Sequence, residues 1–423
     1  MDAASAVDQD RLWDRLMQMA RIGAIAGDGV NRACLTPLDR EARRLLIGWA
    51  RAIGCAVSVD DAANLWLRRA GTDPDAAPDL APDLAPDLAP VVTGSHMDTQ
   101  PQGGRFDGIY GVLAGLEALS ALHDAGIVPR RPIEVVAWTN EEGGRFAPGC
   151  MGSMAWSGHK PLAAFAEVRD PDGVRFADAL AEHLAEEADI PRRALGGRPH
   201  AYLEAHIEQG PRLEREEKAI GVVTGIQGSR WFTVTLRGET AHAGTTPLGL
   251  RRDAVQDMVR AIAALNALMA DPADVLRFTV GRITVSPNTS NSVADRAAFT
   301  IDFRHPDPAV LAARGDAVAG VVQAAVRDAE VSVEETFHAR PVAFDPLVVG
   351  AVQAAADGLG LATLPMPSGA FHDAQFAVPV CPTGMLFVPC RRGISHNPAE
   401  WSEPAQLADG ARVLARALTA MAG

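Results

Sequence analysis

Five residues able to bind a divalent metal stand in five separate phrases: His96 in GSHMDT, Asp107 in GGRFDG, Glu142 in TNEEGG, His206 in EAHIEQG and His396 in GISHNPAE. Three neutral imidazoles and two carboxylates suit a pair of borderline divalent ions, with one carboxylate free to bridge both. A lone histidine of this kind is more often a surface or structural residue. Five in compatible settings point to hydrolysis assisted by two metals.

The elements around these phrases would aim them at one place. Val91 and Val92 lead into Thr93, Gly94, Ser95, His96, Met97 and Asp98, which reads as a buried strand with its polar residues at the C-terminal end. Open α/β sheets place their sites there. His96 and Asp98 are separated by one residue and point the same way, so Asp98 is expected to accept the proton on the imidazole nitrogen not used for metal. As a plain turn or cap residue, Asp98 would have no such role. Gly103, Gly104 and Gly108 surround Asp107, and Val112, Leu113, Leu116, Leu119 and Leu122 follow at helical spacing. Asp107 therefore sits at a loop-to-helix junction, either as an N-cap or as a bridging carboxylate that a glycine-rich loop brings close to the metals. A second buried strand, Ile133 to Trp138, ends in Thr139, Asn140, Glu141 and Glu142. Adjacent carboxylates repel unless a positive charge lies between them. A metal would supply it, with Glu142 binding the ion and Glu141 acting as general base on water. A solvated acidic turn is the plainer alternative.

GSHMDTQPQGGRFDGIYGVLAGLEAL, TNEEGGRFAPGCMGS, EAHIEQGP, GETAHAGTTP, SGAFHDA and GISHNPAEW follow one another along nearly the whole chain. In this order they resemble the dinuclear-metal amidohydrolases that include N-carbamoyl-L-amino-acid hydrolases, β-ureidopropionases and allantoate amidohydrolases, a family related to aminoacylases and dimeric metallo-exopeptidases. The resemblance implies metal ligation by His96, Asp107 (bridging), Glu142, His206 and His396, with Glu141 as general base. It implies two divalent ions per subunit, zinc first, with manganese, cobalt or nickel also compatible with such ligands. Relatives that cleave acylated amino acids commonly carry a carboxylate where His206 stands, so this residue leans toward the carbamoyl branch. Gln209 and His242 resemble the groups around the scissile amide, with His242 donating to the developing oxyanion. Asn291 and Arg304 resemble the pair that grips the substrate carboxylate, and His372 falls in the same pocket. Taken alone, Arg304 would read as a solvated strand residue and Asn291 as a turn residue.

The implied reaction is hydrolysis of the ureido C–N bond of an N-carbamoyl amino acid to the amino acid, carbon dioxide and ammonia. Allantoate amidohydrolysis, or N-acyl amino-acid hydrolysis and peptidase action on the same scaffold, are the rivals. A non-catalytic binding protein would be expected to have lost a ligand or Glu141, and neither is missing. Two positions depart from the family pattern. Ser292, Val293, Ala294 and Asp295 stand where a Val, Ile, Pro, Gly run is expected, and Phe371 where a Gly commonly precedes the histidine.

At 423 residues the chain is long enough for two domains with their own cores, and 48% hydrophobic with 22% charged residues is ordinary soluble composition. A formal net charge of −14 argues against nucleic acid or an anionic membrane as partner, and the resemblance implies a small-molecule carboxylate substrate. Cys34, Cys55, Cys150, Cys381 and Cys390 are odd in number and lack metal-knuckle spacing, so they read as reduced thiols of a cytoplasmic enzyme. No targeting or membrane-spanning run is visible.

The expected fold is α/β: a metallo-exopeptidase-like catalytic domain with a central mixed sheet flanked by helices, interrupted by an α+β sandwich. The domains are expected at 1–224 and 339–423 for the catalytic part and 225–338 for the insertion. From about Gly225 the sequence reads strand, helix, strand, strand, helix, strand, with helices from Arg252 to about Met269 and from Pro308 to about Asp328. The resemblance makes this insertion a lid and dimerisation domain, hence a homodimer. Between Ala77 and Leu88 the unit Ala-Pro-Asp-Leu repeats, and proline at every fourth position forbids a regular helix. The repeat is expected to lengthen a hairpin-like connection between strands at Asn64–Arg68 and Val91–Thr93.

Overall fold

The computed structural model describes residues 2–72 and 89–423. It separates into two compact units, one of Met1–Thr224 with Phe344–Gly423 and the other of Gly225–Ala343. The Ala-Pro-Asp-Leu repeat lies outside the described residues.

The first unit is built on a mixed sheet with strands in the order Ile220–Ile226, Thr383–Val388, Ala201–Ile207, Val91–His96, Ile133–Trp138, Leu65–Arg69, Ala56–Val59. The central strands Thr383–Val388, Ala201–Ile207, Val91–His96 and Ile133–Trp138 run parallel. Every residue of these four is buried, as expected for a parallel sheet covered on both faces by helices. The flanking strands are antiparallel. The expected mixed α/β fold is what the chain adopts.

One expectation about the sheet is overturned. The strands on either side of the repeat are not hairpin neighbours, because Ile133–Trp138 lies between them, pairing Leu65 with Ala137 on one side and His96 with Trp138 on the other. The two runs rich in β-branched residues, Val91–Thr93 and Ile133–Val136, bury both faces and take the parallel centre. Leu65–Arg69, whose last two residues are half-buried, takes the outer place.

The helix Ile109–Asp124 is buried around nearly its whole circumference. It packs on the Val91–His96 and Ala201–Ile207 strands and on the C-terminal helix Pro404–Ala422. Its buried Glu117 is neutralised by Arg11 and Arg15, which ties down the amphipathic helix Gln9–Ala20, capped by Asp8 as its sequence suggests. Pro404–Ala422 begins with a capping box between Glu403 and Gln406 and proline in its first turn.

The second unit is a four-stranded antiparallel sheet in the order Arg277–Ser286, Arg296–His305, Gly228–Arg237, Glu330–Ala339. Alternation along Gly228–Arg237 turns Phe232, Val234 and Leu236 into a core with Ala254, Met258, Ala261 and Leu265 of one helix and Leu311, Val318 and Val322 of the other. Those helices, Ala254–Leu268 and Pro308–Ala325, are capped by Asp253 and Asp307. The second stops at Ala325 because Asp257 accepts the main-chain N–H groups of Arg327, Asp328 and Ala329 at 2.8, 3.0 and 2.8 Å, pulling the chain out of helix.

Candidate metal centre

All four central parallel strands deliver polar residues at their C-terminal ends. His96 is the last residue of its strand and His206 the penultimate residue of its own. Glu141 and Glu142 follow Trp138, and His396 follows Val388 on a longer loop. Ligand atoms of His96, Asp107 and His206 lie within 4.8 Å of one another, and so do those of Asp107, Glu142 and His396. Asp107 is common to both groups. One of its oxygens is 3.2 Å from His206 Nε2 and the other 3.2 Å from His396 Nε2.

The two readings of Asp107 differ in where its carboxylate points. The helix Ile109–Asp124 has Gly108 at its N-cap and no side-chain cap bond. Asp107 is therefore turned away from the helix and toward the histidines. Gly108 makes that turn with φ +67°, and a Cβ there would lie 2.2 to 2.4 Å from three atoms of the His96 ring. Only glycine fits both the backbone and the ring. Gly108→Ala is accordingly expected to displace the His96 imidazole and weaken metal retention by at least tenfold while circular dichroism stays near that of the parent, as metal content after dialysis would report.

His96 Nδ1 faces the main-chain carbonyl of Asp98 at 2.9 Å, whereas the Asp98 carboxylate is 3.6 Å away. That carboxylate instead accepts the N–H groups of Glu141 and Glu142 at 3.2 and 3.3 Å. Asp98 thus fixes the tautomer of His96 through its backbone and fixes the loop of both glutamates through its side chain. His206 is held the same way, with Nδ1 on the carbonyl of Ile207 at 2.9 Å, leaving Nε2 toward Asp107. Glu142 is oriented by the amide N–H and the side-chain amide of Gln100 at 3.2 and 2.9 Å. Glu141 falls outside both groups and places Oε2 3.3 Å from His96 Nε2.

The electrostatics fit a cation. Burial and then Asp107 push Glu142 up to about 8, and burial, Asp373 and Glu142 push Glu141 well above the carboxylate range. Asp107 resists the same burial because His206 and His396 hydrogen-bond to it, holding its carboxyl well below the ordinary value. His396 is raised to about 9 by Asp107, and His206, despite burial, is likewise raised to about 9. Burial lowers His96 to about 4, which leaves its ring neutral, the form a metal ligand requires. A cluster whose acids repel and whose central carboxylate serves two histidines is what divalent ions would neutralise.

Gln209, at φ +56°, donates from Nε2 to Asp107 at 3.0 Å, so it meets the centre itself. His372 is buried with Nε2 2.9 Å from Ser368 Oγ and its ring centroid 4.6 Å from that of His206. In the second unit, Ala241–His242 pairs with Ser292–Val293, and Ala243 N–H donates to the Asn291 carbonyl at 3.0 Å, so His242 and Asn291 are neighbours. The departing residues Ser292–Asp295 build this small structure, since Asp295 accepts from Gly238 N–H at 2.7 Å and Thr240 Oγ1 at 3.0 Å. Arg304, near the end of the Arg296–His305 strand, pairs with Asp302 at 2.8 Å. The five cysteines are buried and free. Among the described residues no helix is long and apolar enough to cross a membrane.

Several residues of the first unit were missed from sequence. Glu400, fully buried, accepts the N–H groups of Phe106 and Asp107 at 2.8 and 3.1 Å. Ser395 Oγ lies 3.1 Å from Asp107 and 3.0 Å from Glu400. Both belong to the GISHNPAEW phrase that carries His396, and an acid directly before an apolar tryptophan was the available signal. Glu204, buried under His206, takes Ser95 Oγ at 2.7 Å, Tyr202 Oη at 3.0 Å and Ala374 N–H at 3.1 Å. Its place two residues before His206 on a strand gave only the shared face as a hint.

The family model described as peptidase family M20/M25/M40 matches residues 92–420. The chain is 42% identical over 417 residues to an N-carbamoyl-L-amino-acid amidohydrolase of Rhizobium meliloti, covering 97% of this chain and 96% of that protein. It is 34% identical to an allantoate amidohydrolase of Escherichia coli, covering 99% and 98%. Among solved structures it is similar to an amidase of the hydantoinase/carbamoylase family from Burkholderia multivorans, with TM-score 0.89, 46% identity and 98% of each chain covered.

Proposed function

The chain belongs to the M20/M25/M40 peptidase family, and from that membership we propose that it is an N-carbamoyl-L-amino-acid amidohydrolase working with two divalent ions. One observation carries the metal part of this reading: the two oxygens of Asp107 face different histidines, each within its own group of ligand atoms. The relatives' names carry the substrate part. In this reading His96, Asp107 and His206 hold one ion, and Asp107, Glu142 and His396 the other.

Metals bound there would acidify water and polarise the ureido carbonyl. Glu141 receives the proton released as water attacks, and its high proton affinity suits it to hold that proton and pass it to the departing nitrogen. His96 is presented by the Asp98 carbonyl and His206 by the Ile207 carbonyl, each in the tautomer that leaves Nε2 free. Gln209 and His372 are assigned to the substrate-facing side of the centre. His242 is assigned to the oxyanion, and Asn291 and Arg304 to the substrate carboxylate, where Arg304 would exchange Asp302 for the ligand. Zinc, manganese, cobalt and nickel all suit the donor set. A cytoplasmic homodimer joined through residues 225–338 completes the proposal.

The test is ammonia release from N-carbamoyl-L-amino acids, N-carbamoyl-β-alanine and allantoate, with N-acetyl amino acids as the peptidase-like control, before and after chelation and re-addition of each metal. Turnover of carbamoyl substrates lost on chelation and restored by metal is expected. Turnover of allantoate alone would transfer the chain to the second reading, which its allantoate-cleaving relative motivates. Activity indifferent to chelation would end both.

A further inference from the structure

The two proposed metal positions are not equally supported by the fold. His96 and His206 stand on central strands of the sheet, in register with Trp138 and Phe387 of the neighbouring strands. Glu142 and His396 both stand on loops, and His396 sits at φ +52° with half of its side chain exposed. Gln100 and the Asp98 carboxylate hold Glu142, and His396 has still to be fixed relative to Asp107.

The geometry points to Glu400 as the positioning residue that fixes the bridging Asp107 and the His396 loop at one spacing and thereby sets the affinity of the second metal position, an inference that rests on the two-metal reading. Its Oε1 takes the N–H groups of Phe106 and Asp107, whose carbonyls accept Tyr110 and Ile109 N–H at 3.0 and 2.7 Å as the helix begins. Its Oε2 takes Ser395 Oγ, which also reaches Asp107. Glu400 therefore clamps together two loops whose contact residues are 293 positions apart in the chain. The clamp is itself seated. Glu400 N–H donates to Asn397 at 3.0 Å, closing the turn after His396. Trp401 packs against Phe106 at 6.0 Å between centroids and against Trp13 at 5.5 Å. The far side of the Asp107 loop is held separately, by the paired N–H and carbonyl groups of Gly103 and Val30 at 3.0 and 3.1 Å. Gly104 lets the carboxylate in, since a Cβ there would lie 2.1 Å from Glu400 Cδ and Oε1. The bridge to Val30 and the start of the helix Ile109–Asp124 seat the Asp107 loop on its own side, but among the described residues no strand or helix ladder ties that loop to the one carrying His396, so the tie between them rests on Glu400 and Ser395.

Metal-free full-length chain would be titrated with Mn2+ and followed by equilibrium dialysis and electron paramagnetic resonance, for the parent, Glu400→Gln and Gly104→Ala. The parent should take two ions and give an exchange-coupled spectrum. Both variants should keep the first ion with little change and bind the second at least tenfold more weakly, giving the spectrum of isolated Mn2+ until excess metal restores the coupled form and turnover together. Gly104→Ala leaves Glu400 itself intact, and Ser395→Ala, expected to weaken the second ion by a smaller factor, serves where Glu400→Gln fails to fold. Folded variants that bind both ions as the parent does, or lose both equally, would overturn the positioning role while leaving the two-metal reading in place. A parent that binds fewer than two ions would overturn both.

Discussion

Glu141→Gln is expected to lower kcat by at least about a thousandfold while leaving metal content near two ions per chain, an effect at the upper part of the range for loss of a positioned general base. The amide keeps the size and shape of the carboxyl but cannot take up a proton. Glu141 belongs to none of the groups of mutually close ligand atoms among the described residues, so its replacement should not open either metal position. Its surroundings argue for a proton carrier rather than a fixed anion. It is buried beside Glu142, Asp98 and Asp373, each of which makes a charge on it costly, and the Cys150 thiol, itself pushed well up by burial, remains a protonated donor 3.7 Å from Oε1. Cations bound beside it would offset that repulsion and ionise it, as the base in a hydrolysis must be, while its burial favours taking up the proton of the attacking water. Because glutamine also removes a buried acid, the variant should melt no lower than the parent in chelator. Metal analysis beside steady-state rates decides the matter: a variant that loses an ion along with turnover would make Glu141 a ligand and leave the proton-transfer role without an owner.

How far this could be read from sequence depended on the range of the interaction involved. Strand ends were legible because β-branched runs such as Val91–Thr93 and Ile133–Val136 stop abruptly in polar residues, and parallel strands present their C-terminal ends together. His96, Glu141 and Glu142 could thus be placed near one another from their sequence contexts. The orientation of the Asp107 carboxylate toward His206 and His396 was legible only as one of two choices, and it depends on the glycine next to it, whose φ and proximity to the His96 ring no local pattern reveals. Asp98 shows the limit of side-chain parity. Its separation from His96 correctly gave a shared side, but the carbonyl reaches the ring first because the carboxylate is drawn to the amides of Glu141 and Glu142, on another strand's exit. Sheet order was similarly beyond local reading. Leu65–Arg69 and Val91–His96 are near in sequence, yet the more hydrophobic Ile133–Trp138 competes successfully for the place between them. Glu400 was the deepest omission, since its Phe106 and Asp107 partners lie nearly three hundred residues earlier in the chain and no spacing rule links them.

Asp107→Asn should abolish turnover and reduce bound metal from two ions per chain to less than one, without rescue by excess metal. An amide offers one carbonyl oxygen and an NH2 group that can only donate, so it cannot face His206 and His396 with two acceptors as the carboxylate does. This separates it from Glu400→Gln, where the bridge survives and excess metal should compensate. The variant also has a signature in the metal-free chain. The Asp107 carboxylate raises His206 and His396 to about 9, above the ordinary imidazole value of about 6.5. Groups whose folded pKa is raised contribute stability that is fully present below the unfolded value and is lost as pH climbs through the folded one. The pairing should therefore stabilise the chelated parent over the variant most strongly near pH 6, and the difference in melting temperature should shrink as pH rises toward 9. Metal uptake has the opposite slope, because ions must displace those protons, so the parent's apparent affinity should rise with pH and flatten above about 9. Equal melting temperatures for parent and variant across pH 6 to 9 in chelator would show that Asp107 does not charge these histidines, and the electrostatic case for it as the shared ligand would fall with that result.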